Sequence, residues 1–153
     1  MTSYYTKHPE KMAVGALAIG NDGTPLGWLQ MCVFPMKERN GIYELKPGEA
    51  YIEQVSVAAA ARGRGIGTAL LRWAEAQARA RGMTTLVLSV LRGNPAIRCY
   101  ERFGLVAQPN DPVEECVGMC FILVIIGRPY GLCNGPLGAI DMRKPLPPMP
   151  AAS

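Results

Sequence analysis

Arg62-Gly63-Arg64-Gly65-Ile66-Gly67 is the run of this 153-residue chain whose residue types and spacing point most directly to chemistry. It follows the apolar residues Val55-Ser56-Val57-Ala58-Ala59-Ala60-Ala61 and leads into Thr68-Ala69-Leu70-Leu71, the opening of an amphipathic helix. A strand that feeds a helix through such a turn aims several backbone N–H groups at one spot. The helix N-terminus adds its partial positive charge there, so the spot suits an anion such as a phosphate. Glycine at 63, 65 and 67 lets the backbone approach that anion with no Cβ in the way. A second signal lies just upstream. In residues 50–57, period-2 alternation puts Tyr51, Glu53, Val55 and Val57 on one face and Ile52, Gln54 and Ser56 on the other. Glu53 on the face of Val55 and Val57 is out of place unless water or chemistry meets it there, the plain alternative being an edge-strand charge in solvent.

The glycine pattern narrows the anion. A dinucleotide-binding turn needs G-x-G-x-x-G and an acid at the end of the following strand for the ribose. Here Thr68 stands where the third small residue belongs, and the following strand ends in Val90-Leu91-Arg92. No Gly-Lys-Ser/Thr follows the turn, so it is not a P-loop. A turn that binds nothing would leave the gathering of Arg62, Arg64 and backbone donors without a purpose. From Arg62 to Arg102 there are eight arginines against Glu75 and Glu101 alone. A polyphosphate ligand accounts for that imbalance with fewer assumptions than nucleic acid, since no aromatics are interleaved as a stacking platform.

The elements that must hold these residues can be read in order. Residues 11–19 and 26–34 are strand candidates around the turn formers Gly20-Asn21-Asp22-Gly23-Thr24-Pro25, which predicts an antiparallel hairpin. Residues 35–48 form a polar connection, and 50–57 the next strand. After the turn, Ile66, Ala69, Leu70, Trp73, Ala74 and Gln77 recur at helical spacing until Gly82 stops the helix. Residues 84–91 read as a covered central strand, and strand–helix–strand implies a right-handed crossover. Asn94 is a good N-cap, Pro95 suits the first helical position and Gly104 the C-terminal cap, so a short helix lies between them. Residues 105–107 resume extended structure, 117–126 and 139–146 read as strands, and 127–138 is a glycine- and proline-rich excursion.

Composition sets the frame: 49% hydrophobic and 18% charged residues in a chain of this length describe one globular domain, expected over 1–146 with a proline-rich tail at 147–153. The longest apolar run is too short to span a bilayer. Met1-Thr2-Ser3-Tyr4-Tyr5-Thr6-Lys7 has no basic region followed by an apolar run, so cytoplasmic location is the expectation. Five cysteines without a repeated spacing, and a single histidine at His8, predict neither a disulfide framework nor a metal site.

The turn Arg62-Gly63-Arg64-Gly65-Ile66-Gly67 resembles the R/Q-x-x-G-x-G/A signature of the GNAT superfamily of acetyl-coenzyme A-dependent N-acetyltransferases. The block from Asn94 to Leu105, with Ala96, Tyr100 and Gly104 inside it, is similar to the family's second signature, which ends A-x-x-x-Y-x-x-x-G-F/L. The resemblance covers residues 15–106 well and the last strands more loosely. It implies an α/β (α+β) fold: a mixed, mostly antiparallel central sheet with flanking helices and two splayed central strands. It also implies roles. The amides of Arg62, Gly63, Arg64, Gly65, Ile66, Gly67 and Thr68 would cradle the pyrophosphate of coenzyme A. The backbone of Val55, Ser56 and Val57 would pair with the pantetheine arm, and Asn94 would touch the cofactor near the splay. Glu53 takes the place where family members put a base, with Tyr51 or water alone as alternatives, and Tyr100 matches the tyrosine that protonates the departing thiolate.

The implied partners are acetyl-CoA and an amine acceptor, with no metal, nucleic acid or membrane, in a monomer or homodimer. Family members usually carry more chain, including two helices that shape the acceptor site, ahead of the strand holding Glu53. Here only residues 1–49 precede it and no helix is legible among them, so the N-terminal helical region is expected to be shortened. An alternative follows from that departure: a non-catalytic coenzyme A-binding module with a degenerate acceptor site.

Overall fold

The hairpin expected at the start of the sheet is the first thing the structure shows. A computed structural model describes residues 14–33, 45–109 and 139–147. Strand β1 (Gly15–Ile19) pairs antiparallel with β2 (Pro25–Cys32), and β2 pairs antiparallel with β3 (Glu49–Val57). Between β1 and β2 the Gly20 N–H donates to Thr24 C=O (2.8 Å), and the Thr24 N–H donates to Asp22 Oδ1 (3.0 Å). That backbone bond holds the exposed Asp22 carboxyl below its ordinary pKa. Its contribution is therefore present above the ordinary carboxylate range and lost as pH falls through the lowered value.

After β3 come a short 3₁₀ turn (Ala59–Ala61), helix α1 (Ile66–Ala80), β4 (Thr85–Leu91), helix α2 (Ile97–Phe103), β5 (Val106–Ala107) and β6 (Ala139–Pro145). The six strands are hydrogen-bonded in the order β1-β2-β3-β4-β6-β5, which gives the mixed α/β, mostly antiparallel sheet that the sequence predicts. The expected strand at 117–126 and the excursion at 127–138 lie outside the described residues, as do residues 11–13, 34–44 and the end of the tail.

The described residues fall into two compact units that divide between Val87 and Leu88 and again between Lys144 and Pro145. In the first, α1 lies against β1, β2 and β3. The core there is built from Leu29, Met31, Ala50, Ile52, Leu71 and Ala74, all buried. In the second, Leu88, Val90, Tyr100, Leu105 and Met142 are buried. The covered reading of β4 is borne out by burial of Leu86, Val87, Leu88 and Val90.

Helix α1 consists largely of good helix formers and ends where glycine stops it. Gly82 adopts φ +71°, its N–H donates to Arg79 C=O (2.9 Å), and the Met83 N–H donates to Ala78 C=O (3.0 Å). That is the paired bonding of a Schellman cap. Gly104 ends α2 the same way, at φ +94° with Leu105 N–H donating to Tyr100 C=O (3.0 Å).

The buried stripe of α1 needs correction. It runs through Leu70, Leu71, Ala74 and Ala78, while Ala69 is exposed. Periodicity sets the repeat, but alanines on both sides of the helix leave its phase to the sheet beneath. On β1, likewise, Ala16 and Ala18 are half-buried and the larger Leu17 and Ile19 are exposed. Replacing Leu71 by alanine is expected to cost about 2–5 kcal/mol of unfolding free energy, whereas Ala69→Ser changes it by less than about 0.5 kcal/mol; urea denaturation of both variants checks the phase of the helix.

Candidate functional site

In the first unit the strand β3, the 3₁₀ turn, the glycine-rich turn and the start of α1 form one continuous path. The register between β2 and β3 pairs Gln30 with Gln54 and then Met31 with Ile52, so Glu53 is the extra residue of a β-bulge. A bulge re-aims the side chain it carries and bends its strand. Burial confirms the break: Ala50 and Ile52 are buried, Glu53, Val55 and Val57 are half-buried, and Gln54 and Ser56 are exposed. Glu53 thus keeps the phase of Val55 and Val57 as read from the sequence, and the strict alternation fails for Tyr51, because the bulge shifts the phase by one residue. Glu53 is half-buried, with its Oε2 shut off from solvent. Tyr51 pairs with Cys32 on the near side of the bulge.

Beyond β3, the Ala58 N–H donates to Leu26 C=O (2.8 Å) and the Ala61 N–H to Ala58 C=O (2.8 Å), which winds the alanine run into its 3₁₀ turn. Arg62 turns back so that its Nε donates to Val57 C=O (3.3 Å), fixing the guanidinium stem beside the strand end. Gly63 (φ +73°) and Gly65 (φ +80°) take the left-handed backbone, and no heavy atom lies within 4 Å of where a Cβ on either would stand. Arg64 is exposed between them.

Helix α1 then begins with Gly65 as N-cap, with no side-chain capping bond and no acidic residue in its first turn. Its first intrahelical bond runs from the Ala69 N–H to Gly65 C=O (2.9 Å). The N–H groups of Ile66, Gly67 and Thr68 precede that bond and point out of the helix end. Open space, left-handed glycines, two arginines and an acid-free helix N-terminus together fit a pyrophosphate. Among the described residues no group of three or more His, Cys, Asp or Glu could hold a metal ion, and no helix is long and apolar enough to cross a membrane.

In the second unit, Asn94 does not cap α2 directly. Its Oδ1 accepts the Ala96 N–H (2.9 Å) and its C=O accepts the Ile97 N–H (3.1 Å), while the helix starts from Ala96 without a side-chain cap. The asparagine thus closes a tight turn through Pro95 and Ala96, and the α-helix starts two residues later than expected. Tyr100 is the buried residue of α2. Lys144 Nζ on β6 sits 3.9 Å from the centroid of the Phe103 ring, and the Ser89 hydroxyl donates to Asp141 (2.5 Å).

Two residues of the first unit escaped the sequence reading. Glu49 is buried, and its Oε2 accepts the Lys46 N–H (3.0 Å), closing the turn that starts β3. Gly27, in the middle of β2, backs directly onto Ser56 and Val57. An isolated glycine inside a strand pattern was the available signal for that approach.

The sheet, the bulged strand and the acid-free helix end after a glycine-rich turn place the chain in the mixed α/β class. The sequence model of the acetyltransferase (GNAT) family matches residues 2–105, and the chain belongs to that family. Among solved structures it is similar to nourseothricin acetyltransferase, at 26% identity and TM-score 0.61, covering 87% of this chain and 65% of that one. It is also similar to a GCN5-related N-acetyltransferase from Kribbella flavida, at 27% identity and TM-score 0.60, covering 86% of this chain and 67% of that one. A Bacillus anthracis protein solved in complex with acetyl coenzyme A shares the fold at 17% identity and TM-score 0.63, covering 90% and 67% of the two chains. A comparison with curated proteins finds no match. The chain spans about two thirds of the length of nourseothricin acetyltransferase, 65%.

Because the space beside Gly65 is open, a side chain there meets only backbone strain. Gly65→Ala is expected to cost about 1–2 kcal/mol of stability from the left-handed conformation alone. Gly67 lies within α1 without a positive φ, so Gly67→Ala is expected to stabilise by up to about 1 kcal/mol. Thermal unfolding of the two unliganded variants reads the difference.

Proposed function

We propose that this protein is an N-acetyltransferase that moves the acetyl group of acetyl-CoA to a primary amine of a small molecule, polyamine-like in character, or of a protein, by direct attack in a ternary complex. The observation that carries this reading is the path from the bulge at Glu53 through the left-handed Gly63 and Gly65 to the acid-free N-terminus of α1. Membership of the acetyltransferase (GNAT) family supports it.

Acetyl-CoA supplies, when bound, an activated thioester. The amides from Arg62 to Thr68 hold its pyrophosphate, and Arg62 and Arg64 add charge to that contact. The backbone of Val55, Ser56 and Val57 pairs with the pantetheine arm, and Asn94 contacts the cofactor beside it. An aliphatic amine, with a pKa of about 10, is protonated at neutral pH and must lose its proton before it attacks. Glu53 accepts that proton, directly or through water. Its place at the bulge and the screening of Oε2 from solvent support it over Tyr51. Tyr100 donates a proton to the sulfur of the leaving thiolate.

The acceptor is sought by following acetyl-CoA-dependent thiol release over pools of polyamines, amino acids, aminated antibiotics including nourseothricin, and peptides. With the acceptor in hand, Glu53→Gln is expected to lower kcat by about 10²- to 10⁴-fold at neutral pH. The deficit should narrow as pH rises toward the pKa of the amine, where solvent supplies the free base. Tyr100→Phe is expected to lower kcat and leave the affinity for coenzyme A unchanged. Saturable coenzyme A binding with no thiol release from any pool would favour the non-catalytic module instead.

A further inference from the structure

The glycine in the middle of β2 stands outside the residues assigned above, yet it touches the strand they depend on. A Cβ built on Gly27 would lie 2.7 Å from Ser56 O, 3.3 Å from Val57 Cα and 3.3 Å from Leu70 Cδ1. The first two are backbone atoms and cannot swing aside as a side chain does. Gly27 pairs with Val57 and Trp28 with Ser56 in the β2–β3 register, so the contact falls on the last two residues of β3. The neighbouring Leu26 C=O accepts the Ala58 N–H (2.8 Å), and the Val57 C=O accepts Arg62 Nε (3.3 Å). The end of β3, the entry to the 3₁₀ turn and the stem of Arg62 are therefore all set by how closely β2 approaches at Gly27.

We propose that Gly27 is a positioning residue for the cofactor. The missing Cβ lets β2 seat against Ser56 and Val57, and that seating places the strand backbone and the glycine-rich turn at the separation coenzyme A requires. The inference rests on the reading that Val55, Ser56 and Val57 hold the pantetheine arm and that residues 62–68 hold the pyrophosphate. An alanine at 27 has two ways to relieve a 2.7 Å contact. It can push the end of β3 away from β2, or it can stretch the Leu26–Ala58 bond; either moves the arm-binding strand relative to the phosphate turn. Misplacement by about 1 Å can cost on the order of a hundredfold where two groups must meet one ligand together.

The test compares Gly27→Ala with Gly48→Ala, the same chemical change at the opposite end of β3. Gly48 lies at φ +81°, and a Cβ there would meet Thr84 Oγ1 at 2.9 Å, so Gly48→Ala strains the fold without touching residues 55–68. Coenzyme A is titrated calorimetrically into the full chain and into both variants, and thermal unfolding is measured alongside. We expect both variants to lose thermal stability and only Gly27→Ala to lose coenzyme A affinity, by about tenfold or more. Should Gly27→Ala not fold, Gly27→Ala with Leu70→Val makes room on the helix side, keeps the Ser56 contact and carries the same expectation. Wild-type affinity in a folded Gly27 variant would overturn the positioning role and leave the cofactor reading intact. Equal loss of affinity in the two variants would overturn it as well, since the effect would then be general destabilisation. Absence of coenzyme A binding by the unmodified chain would remove the cofactor reading and the inference together.

Discussion

An α-helix N-terminus presents backbone N–H groups that its own ladder cannot satisfy, and the start of α1 has neither an acidic residue in its first turn nor a side-chain cap. That unmet demand for negative charge is the constraint from which the rest of the first unit follows. The chain must reach the helix without placing atoms over its end, and it does so through left-handed glycines at 63 and 65 with open space beside them. The turn is also held still, so that its backbone donors keep one arrangement. The 3₁₀ turn at Ala59–Ala61 and the bond from Arg62 Nε to Val57 C=O provide that stiffness. The arginine closest to the turn is thereby anchored to the strand it follows.

The strand brings a second constraint. Nine residues of β3 must pair with β2 along one edge and also accommodate one residue more than β2 matches there. The bulge at Glu53 meets both needs: Met31–Ile52 and Gln30–Gln54 keep their pairing and the extra residue absorbs the mismatch. At the bulge Glu53 is half-buried like Val55 and Val57, with one oxygen screened from water. Below the bulge, the turn at 46–49 is closed by Glu49, whose buried carboxylate accepts the Lys46 N–H. Two glutamates four residues apart on one strand therefore have different work, one binding its own backbone and the other placed at an irregularity.

The second unit is organised by short-range bonds. Asn94 closes the turn before α2 through its side chain and its carbonyl, and Gly104 ends the helix with a Schellman cap. Between them Tyr100 is buried, and its backbone carbonyl accepts the Leu105 N–H. The Lys144–Phe103 contact and the Ser89–Asp141 bond link α2 and β4 to β6 within the same unit.

Much of this was legible in the sequence where the physics is local. Glycines at 82 and 104 stop their helices because no other residue takes the left-handed C-terminal position as cheaply. The turn formers between 20 and 25 make a hairpin, and the arginine- and glycine-rich run makes the left-handed turn that opens onto α1. Those features depend on residues within a few positions of one another. Three others were decided only when distant segments met. The bulge at Glu53 comes from the register of β3 against β2, a relation between residues more than twenty positions apart. The buried phase of α1, through Leu71 and not Ala69, comes from the sheet it covers. The need for glycine at 27 comes from two strands approaching until a single Cβ no longer fits. The sequence by itself determined which turn opens onto α1 and where that helix ends, because dihedral preference acts locally; the tertiary structure decided how the strand carrying Glu53 is aimed and spaced, because register and steric contact exist only between segments already brought together.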